Sequence, residues 1–471
     1  MSQKYQTLLA TGLTIVLYFL FGYGLDRTDF SVLFATYTIL FVPFFYVLKK
    51  EKMNLSFLMG TAILFRLIFL FAIPNLSQDF YRFIWDGRMI LEGINPFISI
   101  PETFVEKGNI PISQGTELYR GMGQLSGSHC TNYPPVNQFN FLIAAVFSNT
   151  SIVGAVIVMR LQIILADIGI IYFGKKILKQ LNLPHHLIFL YALNPLIIIE
   201  LTGNLHFESV MLVFLVWSLH LLLEGRWIWS AIILGLSVSV KLIPLLFLPL
   251  FFQWFTSRIS LPSQTNVSIK TQVQKTSFSW VGLSKLVLFG MIVVFVNIIL
   301  FIPFVSTDLV NSYTGTIGLW FQNFEFNASL YYIARAIGYT FRGWNEIAVI
   351  GKIMPALTSV FLIIITFFRK NRSPKQLISA LLLGLTCYYV TTTTVHPWYL
   401  APLVLLSVFT TYRYPLVWSV VIVLSYHAYG NELWRENLWL VGLEYLFVYG
   451  MLIWEIIQIR LQSSSIISKL K

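Results

Sequence analysis

The sequence predicts an all-α integral membrane protein, a polytopic bundle of about 11–14 transmembrane helices. Of its 471 residues, 56% are hydrophobic and only 11% are charged, whereas a soluble globular protein carries roughly 25% charged residues. The mean hydropathy is +0.73, and long apolar runs recur from one end of the chain to the other. This composition excludes a water-soluble enzyme, a disordered chain and a collagen-like chain.

The first apolar run, at residues 7–21, is expected to be a retained helix rather than a signal peptide. No small-residue cleavage site follows it, and Asp26 and Arg27 come before a second apolar run. Further spans are predicted at 31–48, 54–74, 151–174, 184–203, 205–223, 281–303, 346–368, 376–395, 397–411, 414–429 and 437–459.

Two apolar runs do not fit a single crossing. Residues 135–148 are too short, and residues 227–254 are too long and are interrupted by Lys241 and Pro244. If the short run does not cross and the long run is a broken hairpin returning to its own side, most of the 32 Lys and Arg residues fall on the cytoplasmic side. The positive-inside bias favours this arrangement, which puts Lys241 at the outer tip of the hairpin.

The resulting topology treats residues 1–471 as one integral membrane domain with three long loops. Residues 75–134 and 304–345 form two extracytoplasmic loops, and residues 255–280 form a Ser/Thr/Gln/Lys-rich cytoplasmic segment that is typical of a flexible linker. The sequence contains no P-loop and no dinucleotide fingerprint. Any chemistry is therefore expected at the outer face, without a nucleotide donor from the cytosol.

The densest polar cluster opens the first outer loop, between Ser77 and Arg88. Read as a helix, this segment places Asp79, Arg82 and Asp86 on one face, and apolar side chains form another. Such a segment is typical of an amphipathic helix lying in the membrane interface. The alternative interpretation is a surface helix with local ion pairs.

Polar residues also gather at two later junctions. Asn204, His206 and Glu208 alternate between two apolar spans, and a non-helical turn would aim all three in the same direction; local structural roles are the alternative. Lys241 at an outer tip would bind a lipid phosphate, or would instead extend to the nearest headgroup.

Aromatic and amide side chains interleave at residues 320–329, a pattern that suits sugar rings or an interfacial aromatic belt. Residues 391–399 contain His396 directly before a proline, where a span is expected to break. Within the spans, we expect buried ion pairing for Arg160 and Asp167, which lie seven residues apart on one helix face.

The ordered motifs resemble those of the bacterial polytopic mannosyltransferase-like group with the GT-C fold, and glycosyltransferase family 87 is the nearest named relative. The resemblance covers most of residues 75–400, with one departure at Glu208, where related proteins often have aspartate. The motifs are, in order, Asp79–Arg88, Gly93–Phe97, Tyr133–Pro135, Asn204–Glu208, Lys241–Pro244, Asn327–Tyr331 and His396–Tyr399.

The resemblance implies glycosyl transfer, with mannose favoured, from a polyprenyl-phosphate sugar at the extracytoplasmic face of a bacterial cytoplasmic membrane. The catalytic acidic residue of the family matches Asp79, and Asp86 is our second choice for the base that takes the acceptor proton. Cationic groups would stabilise the departing phosphate. We expect the donor phosphate at Arg82, His206, Lys241 and His396, and other substrate groups at Tyr81, Trp85, Tyr133, Asn204, Glu208, Asn327, Trp398 and Tyr399.

The expected partners are the polyprenyl-phosphate donor, a lipid, glycan or protein acceptor, and membrane lipids, but no nucleic acid. No cofactor is expected; the spacing of carboxylates neither requires nor excludes a divalent cation, and Cys130 and Cys387 match no metal motif. The alternative function is a transporter or flippase. Transporters place polar residues near the bilayer midplane, usually within structural repeats, whereas the polar residues here lie at helix ends and in an outer loop.

Overall fold

The computed structural model describes residues 2–259, 276–322, 324–431 and 434–469. Within these ranges the chain is mostly helical and contains almost no strand, which confirms the all-α prediction. The helices are α1 (Gln3–Tyr23), α2 (Phe30–Lys50), α3 (Leu55–Ile68), α4 (Asp79–Leu91), α5 (Pro101–Glu106), α6 (Gly115–Gly127), α7 (Pro135–Phe147), α8 (Ile152–Gln180), α9 (Phe189–Ala192), α10 (Pro195–Ile197), α11 (Glu208–Leu223), α12 (Trp227–Val238), α13 (Phe252–Thr256), α14 (Trp280–Phe301), α15 (Leu309–Gln322), α16 (Leu330–Arg342), α17 (Ile347–Phe368), α18 (Pro374–Thr391), α19 (Ala401–Val408), α20 (Tyr414–Val421) and α21 (Leu438–Lys469).

Short irregular helical segments and one small ladder complete the described structure. A two-stranded antiparallel ladder pairs β1 (Ser257–Ile259) with β2 (Thr276–Phe278). The residues between these strands, which include most of the predicted linker at 255–280, lie outside the described ranges. The 3-10 segments are His185–Ile188, Ile243–Phe247, Pro249–Phe251, Ile302–Phe304, Pro397–Leu400 and Ile422–Gly430, and a π-helical turn covers Ile198–Gly203.

The protein is an integral, multi-pass membrane protein. In the described part of the chain, six helices are long and apolar enough to cross a membrane, namely α1, α2, α8, α14, α17 and α21. The pair His185–Ala192 and Pro195–Gly203, bent by 52°, is a further candidate span. Helices α3, α7, α11 and α12 are apolar but shorter. The predicted total of about 11–14 spans therefore requires that shorter helices also cross.

The outer helices of the bundle expose their apolar side chains, as lipid-facing helices do. Only 11% of the most apolar window of α14 is buried within the protein, and its buried residues are Gly282, Phe289 and Val293. By contrast, α11 buries most of its residues, including Glu208 at its first position. The polar residues of the predicted site are therefore carried on the inner part of the bundle.

The interrupted run at 227–254 breaks where the sequence predicts. Helix α12 ends at Val238, and Lys241 lies in the turn before the 3-10 segment that begins at Ile243. Pro244 has no amide hydrogen and its ring clashes with a preceding turn, so it disfavours a regular α-helix at this point. The turn is attached to helix α7, because the Val136 amide donates to the Ser239 carbonyl at 2.9 Å.

Helices α4 and α7 pack closely and bring residues 75–134 onto the bundle. A Cβ at Gly87 would lie 2.2 Å from the Phe141 carbonyl oxygen, so only glycine permits this approach. The Phe83 and Phe141 rings stack at 4.5 Å across the same interface. Together with the contact between Val136 and Ser239, this packing places α4 beside the turn that carries Lys241.

The expected pairing of Arg160 with Asp167 is wrong. Asp167 instead pairs with Arg66, with 2.7 Å between Oδ2 and Nε. Arg160 donates to the carbonyls of Thr202 and Gly203 at 2.8 and 2.9 Å, at the end of the π-helical turn. A guanidinium has five N–H donors, which lets Arg160 satisfy carbonyls that this irregular backbone leaves without helical partners.

Candidate active site

Asp79 is the first residue of helix α4 and is partly buried. The Tyr133 hydroxyl donates to its Oδ2 at 3.4 Å, and the Tyr133 ring packs edge-on against Phe83 at 5.0 Å. Burial raises the pKa of the Asp79 carboxyl above its ordinary value, whereas the Lys241 charge and the Tyr133 hydroxyl lower it. The Lys241 turn is thus within electrostatic range of the predicted catalytic carboxylate.

Asp86 lies about two turns after Asp79 in α4 and is fully buried. Protein donors bind both of its carboxylate oxygens. Its Oδ1 accepts from Arg82 Nε at 2.7 Å, and its Oδ2 accepts from Gln138 Nε2 at 3.1 Å. Arg82 also donates to the carbonyls of Ser126 and His129 at 2.6 and 2.8 Å. Asp86 and Arg82 therefore hold residues 126–129 and α7 against α4. Asp79 differs from Asp86, because fewer protein donors use its carboxylate.

Lys241 forms an ion pair with Glu208 at the start of α11. The Glu208 side chain is fully buried and the Lys241 side chain is 15% exposed. Glu208 Oε2 has no hydrogen-bond partner among the residues that the structure describes. The Glu208 carboxylate therefore fixes the position of the Lys241 ammonium. The ammonium remains partly exposed and has two further N–H donors available for another group.

The turn between the π-helical segment and α11 is non-helical, as the alternating polar residues predict. Leu205 has a φ of +61°, and the three polar side chains have different partners. Asn204 accepts from the Leu76 amide at 2.9 Å and donates to the Ile199 carbonyl at 3.1 Å. Asn204 thus fixes the backbone three residues before Asp79, and both ends of its amide are used by the protein.

Two histidines stack on one tryptophan next to this turn. The His206 ring lies 3.7 Å from Trp398 and the His396 ring lies 4.4 Å from it, both nearly parallel. His206 Nε2 and His396 Nδ1 are buried and have no hydrogen-bond partner within the described ranges. Buried polar atoms are normally satisfied, so these two nitrogens are candidates for binding a polar ligand.

The segment at residues 324–329 reaches the same histidines through its backbone. Phe326 donates to the Thr393 carbonyl at 3.1 Å and accepts from the Val395 amide at 2.8 Å. The Phe326 ring stacks on His396 at 5.0 Å. This short bridge joins residues 324–329 to residues 391–399. Residue 323 and the side chains of 320–322 lie outside the description.

Asn327 is fully buried and anchors this loop to the last helix. Its backbone N–H donates to Glu436 at 2.6 Å, and its side-chain Nδ2 donates to Glu444 at 3.0 Å. Asn327 has a φ of +48°, in the left-handed region where asparagine is enriched. The structure therefore gives Asn327 protein partners, apart from its Oδ1, which has none among the described residues.

Three further predicted residues have mainly aromatic surroundings. Trp85 is 1% exposed and meets Phe104 edge-on at 6.5 Å. The Tyr81 ring lies over Gly121, where an added Cβ would approach within 2.6 Å. These two side chains pack inside the first outer loop. Tyr399, in contrast, is near the histidines, with 5.3 Å between its ring and that of His396.

Sequence reasoning missed Glu200, which is fully buried in the π-helical turn. Its Oε2 lies 3.8 Å from His206 Nε2, and its Oε1 accepts from the Tyr426 hydroxyl. A lone carboxylate within an apolar run is costly and is by default a functional candidate. That signal was available in the run at 184–203, because Glu200 is its only acidic residue.

The described residues include no group of three or more His, Cys, Asp or Glu side chains positioned to hold a metal ion. What the structure does bring together is Asp79, Tyr133, the Lys241–Glu208 pair and the two histidines stacked on Trp398. This set combines a carboxylate, a cation and two imidazoles at one junction. It can accept a proton, bind an anionic group and orient a ring between aromatic faces.

Comparison with known proteins gives a match to a family model described as alpha-(1->6)-mannopyranosyltransferase, N-terminal domain, over residues 14–257. Two curated proteins of Corynebacterium glutamicum are similar. Alpha-(1->6)-mannopyranosyltransferase B is 27% identical over 153 residues, or 32% of this chain, and the A protein is 25% identical over 195 residues, or 39% of this chain.

The aligned regions span 24% of the B protein and 36% of the A protein, well under the full length of either relative. The family match, however, covers more than half of this chain, and it contains Asp79, Tyr133, His206, Glu208 and Lys241. The chain therefore belongs to the alpha-(1->6)-mannopyranosyltransferase N-terminal-domain family.

Proposed function

We propose that this protein is a membrane mannosyltransferase that moves mannose from a polyprenyl-phosphate donor to an acceptor hydroxyl at the extracytoplasmic face. The observation that carries the proposal is the convergence of Asp79, the Lys241–Glu208 pair and two histidines with unsatisfied nitrogens. These residues are distant in sequence and come from different loops. Membership of the family and the names of the two relatives favour mannose and a glycan acceptor.

In the proposed reaction, Asp79 is the general base. The acceptor oxygen forms a bond to the anomeric carbon, the bond from that carbon to the phosphate oxygen breaks, and the polyprenyl phosphate leaves with the electron pair. The acceptor proton passes to the Asp79 carboxylate, for which a partly buried position with one weak hydrogen bond is suitable. Asp86 is assigned a positioning role, because protein donors occupy both of its oxygens.

Lys241 is the group proposed to stabilise the departing phosphate. Its ammonium is partly exposed and is oriented by Glu208, so it is preorganised for a negative charge that grows during the reaction. His206 and His396 supply nitrogens that are free to bind phosphate oxygens or sugar hydroxyls. Arg82 is assigned to the loop instead, since it donates to Asp86 and two backbone carbonyls.

A lipid-linked donor fits the position of these residues. The segments that carry these residues are helix ends of a multi-pass bundle. Lys241 lies where the apolar run at 227–254 is broken. The positive-inside bias favours the outer face for this tip. An isoprenoid chain could therefore remain in the bilayer while its phosphate reaches Lys241 at the interface.

The test is sugar transfer by the full-length protein in nanodiscs, using a panel of polyprenyl-phosphate sugars and a membrane extract as the acceptor source. We expect transfer from polyprenyl-phosphate mannose, and a loss of about 100-fold or more in Asp79→Asn, because positioned proton transfer contributes roughly 10²–10⁴-fold. Asp308→Asn, an exposed aspartate of the second outer loop, is the matched control. Protein-dependent movement of a labelled lipid across vesicles, without transfer from any donor, would establish a flippase instead.

A further inference from the structure

Glu200 is a buried carboxylate that the proposed transfer chemistry leaves without a role. It lies in the π-helical turn Ile198–Gly203 and is fully buried. Among the described residues, no lysine or arginine forms an ion pair with it, and His206 is the one basic side chain in contact. A buried carboxylate without a cation is costly, so a partner that can carry a proton is expected beside it.

One oxygen of the Glu200 carboxylate is fixed, and the other faces a histidine. Oε1 accepts from the Tyr426 hydroxyl, which sets the orientation of the carboxylate. Oε2 is buried without a hydrogen-bond partner in the described ranges, and so is His206 Nε2. These two atoms lie 3.8 Å apart, slightly further than a hydrogen bond allows. Because both atoms are enclosed by protein, a closure of about 1 Å that joins them satisfies each one.

The His206 ring is held with its two nitrogens in different surroundings. The ring stacks on Trp398 at 3.7 Å, and the His206 backbone N–H donates to the Glu200 carbonyl at 3.4 Å. The second ring nitrogen, Nδ1, also has no hydrogen-bond partner in the described part of the chain, but it is not enclosed as Nε2 is. The ring therefore presents one nitrogen to a buried carboxylate and keeps the other for a different group.

The surroundings of His206 belong to the candidate active site. Lys241 and His396 lie within electrostatic range of it, and the His396 ring stacks on the same tryptophan at 4.4 Å. Lys241 is the group proposed to bind the donor phosphate. A phosphate at this place would favour a proton on the nearby imidazole, because opposite charges at short range stabilise each other.

We propose that Glu200 is a positioning residue that acts through His206. Its carboxylate accepts a hydrogen bond from Nε2–H, which fixes the ring and its tautomer and leaves Nδ1 for a phosphate oxygen of the donor. With the phosphate bound, His206 carries a proton on both nitrogens, and the Glu200 carboxylate balances the added charge. Glu200 does not touch the substrate. The inference rests on the proposed function, which supplies the phosphate.

The test is a double-mutant cycle on binding of a short-chain, water-soluble prenyl phosphate to the full-length protein in nanodiscs, measured by calorimetry. Glu200→Gln and His206→Gln should each weaken binding about tenfold, since each removes a hydrogen bond to a charged group. The double variant should bind within about twofold of His206→Gln, because Glu200 acts only through His206. Glu455→Gln, at another buried glutamate, is the matched control and should bind as the wild type does.

Non-additivity is the result that a merely structural role of Glu200 would not produce. Losses that add in the double variant would overturn the proposal, and so would wild-type affinity in Glu200→Gln. Where Glu200→Gln does not fold, Tyr426→Phe takes its place in the cycle, because it removes the donor that orients the carboxylate. Its expected loss is about threefold, and the loss should again be absent in the His206→Gln background.

The binding measurement does not require sugar transfer, so it separates this inference from the proposed function. A non-additive cycle without transfer from any donor would support the positioning role while the proposed function fails. Transfer by the wild type together with an additive cycle would uphold the function and overturn the role of Glu200.

Discussion

Two buried ion pairs link helices of this protein, and they differ in how far their carboxylates are satisfied. Asp167, which is 1% exposed, pairs with Arg66 through Oδ2, and its Oδ1 accepts from Tyr191 at 3.1 Å and Ser209 at 2.9 Å. Glu208 pairs with Lys241, but its second oxygen has no partner among the described residues. We call the first pair closed, because protein donors use both oxygens of its carboxylate. The second pair is open, because one oxygen of its carboxylate is left for another group.

This difference distinguishes a pair that supports the fold from a pair that we propose to act in catalysis. The sequence alone does not tell the two pairs apart. The closed pair ties α3 to α8, and its carboxylate has no free oxygen to offer a ligand. The open pair lies at helix ends beside Asp79, and the lysine side chain is 15% exposed. Because a buried charge without full pairing is costly, the open pair is expected to be stabilised further by substrate.

The largest predicted effect concerns the stability of the closed pair. Asp167→Asn leaves the buried Arg66 guanidinium without its counter-charge and should lower the free energy of unfolding by about 3–5 kcal/mol. Thermal unfolding in detergent, followed by size-exclusion chromatography, measures this loss. The exposed Asp308→Asn should unfold as the wild type does. A wild-type melting temperature for Asp167→Asn would show that the closed pair does not support the fold.

The next effect concerns the open pair, where the same kind of neutralisation should affect catalysis instead. The double variant Glu208→Gln/Lys241→Gln removes both charges together, so neither is left buried alone and the fold should persist. Its kcat with polyprenyl-phosphate mannose should fall about 100-fold or more, since preorganised charge at a leaving group is worth roughly 10²–10³ in rate. Wild-type kcat in a well-folded double variant would remove Lys241 from the mechanism.

The smallest predicted effect is a shift in pH dependence. A general base must be deprotonated, so activity should decline as the pH falls through the pKa of Asp79, which burial raises. The Tyr133 hydroxyl lowers this pKa by donating to the carboxylate. Tyr133→Phe should therefore move the acidic limb of the rate profile to higher pH, with the rate above that limb within about threefold of wild type. A shift to lower pH would contradict this assignment.

The sequence predicted the helical class and the break at Lys241, and it allowed a helix over residues 77–88 and a non-helical turn before Glu208. Each of these follows from local signals: hydrophobic run length, amphipathic spacing, and proline or polar residues that interrupt a helix. Local signals also identified Lys241, His206 and His396, because polar residues at membrane helix ends are rare and costly. The structure adds their mutual packing.

The pairing of these residues could not be read from the sequence. Arg160 and Asp167 share a helix face, yet each finds its partner on another segment, because tertiary packing decides which groups meet in the bundle. Asn204 and Asp86 look like ligand-binding residues until their protein partners are known. The predicted roles in substrate binding remain predictions, and the structure favours those residues whose polar atoms are still free.

The central claim is that Asp79 acts on the chemical step of a transfer from a lipid-linked donor. The most direct measurement is single-turnover transfer from pre-bound polyprenyl-phosphate mannose, comparing wild type with Asp79→Asn in nanodiscs. The account predicts that the variant binds the donor as the wild type does and transfers the sugar about 100-fold more slowly or worse. Transfer at the wild-type rate from the bound donor would contradict it and would place the base elsewhere.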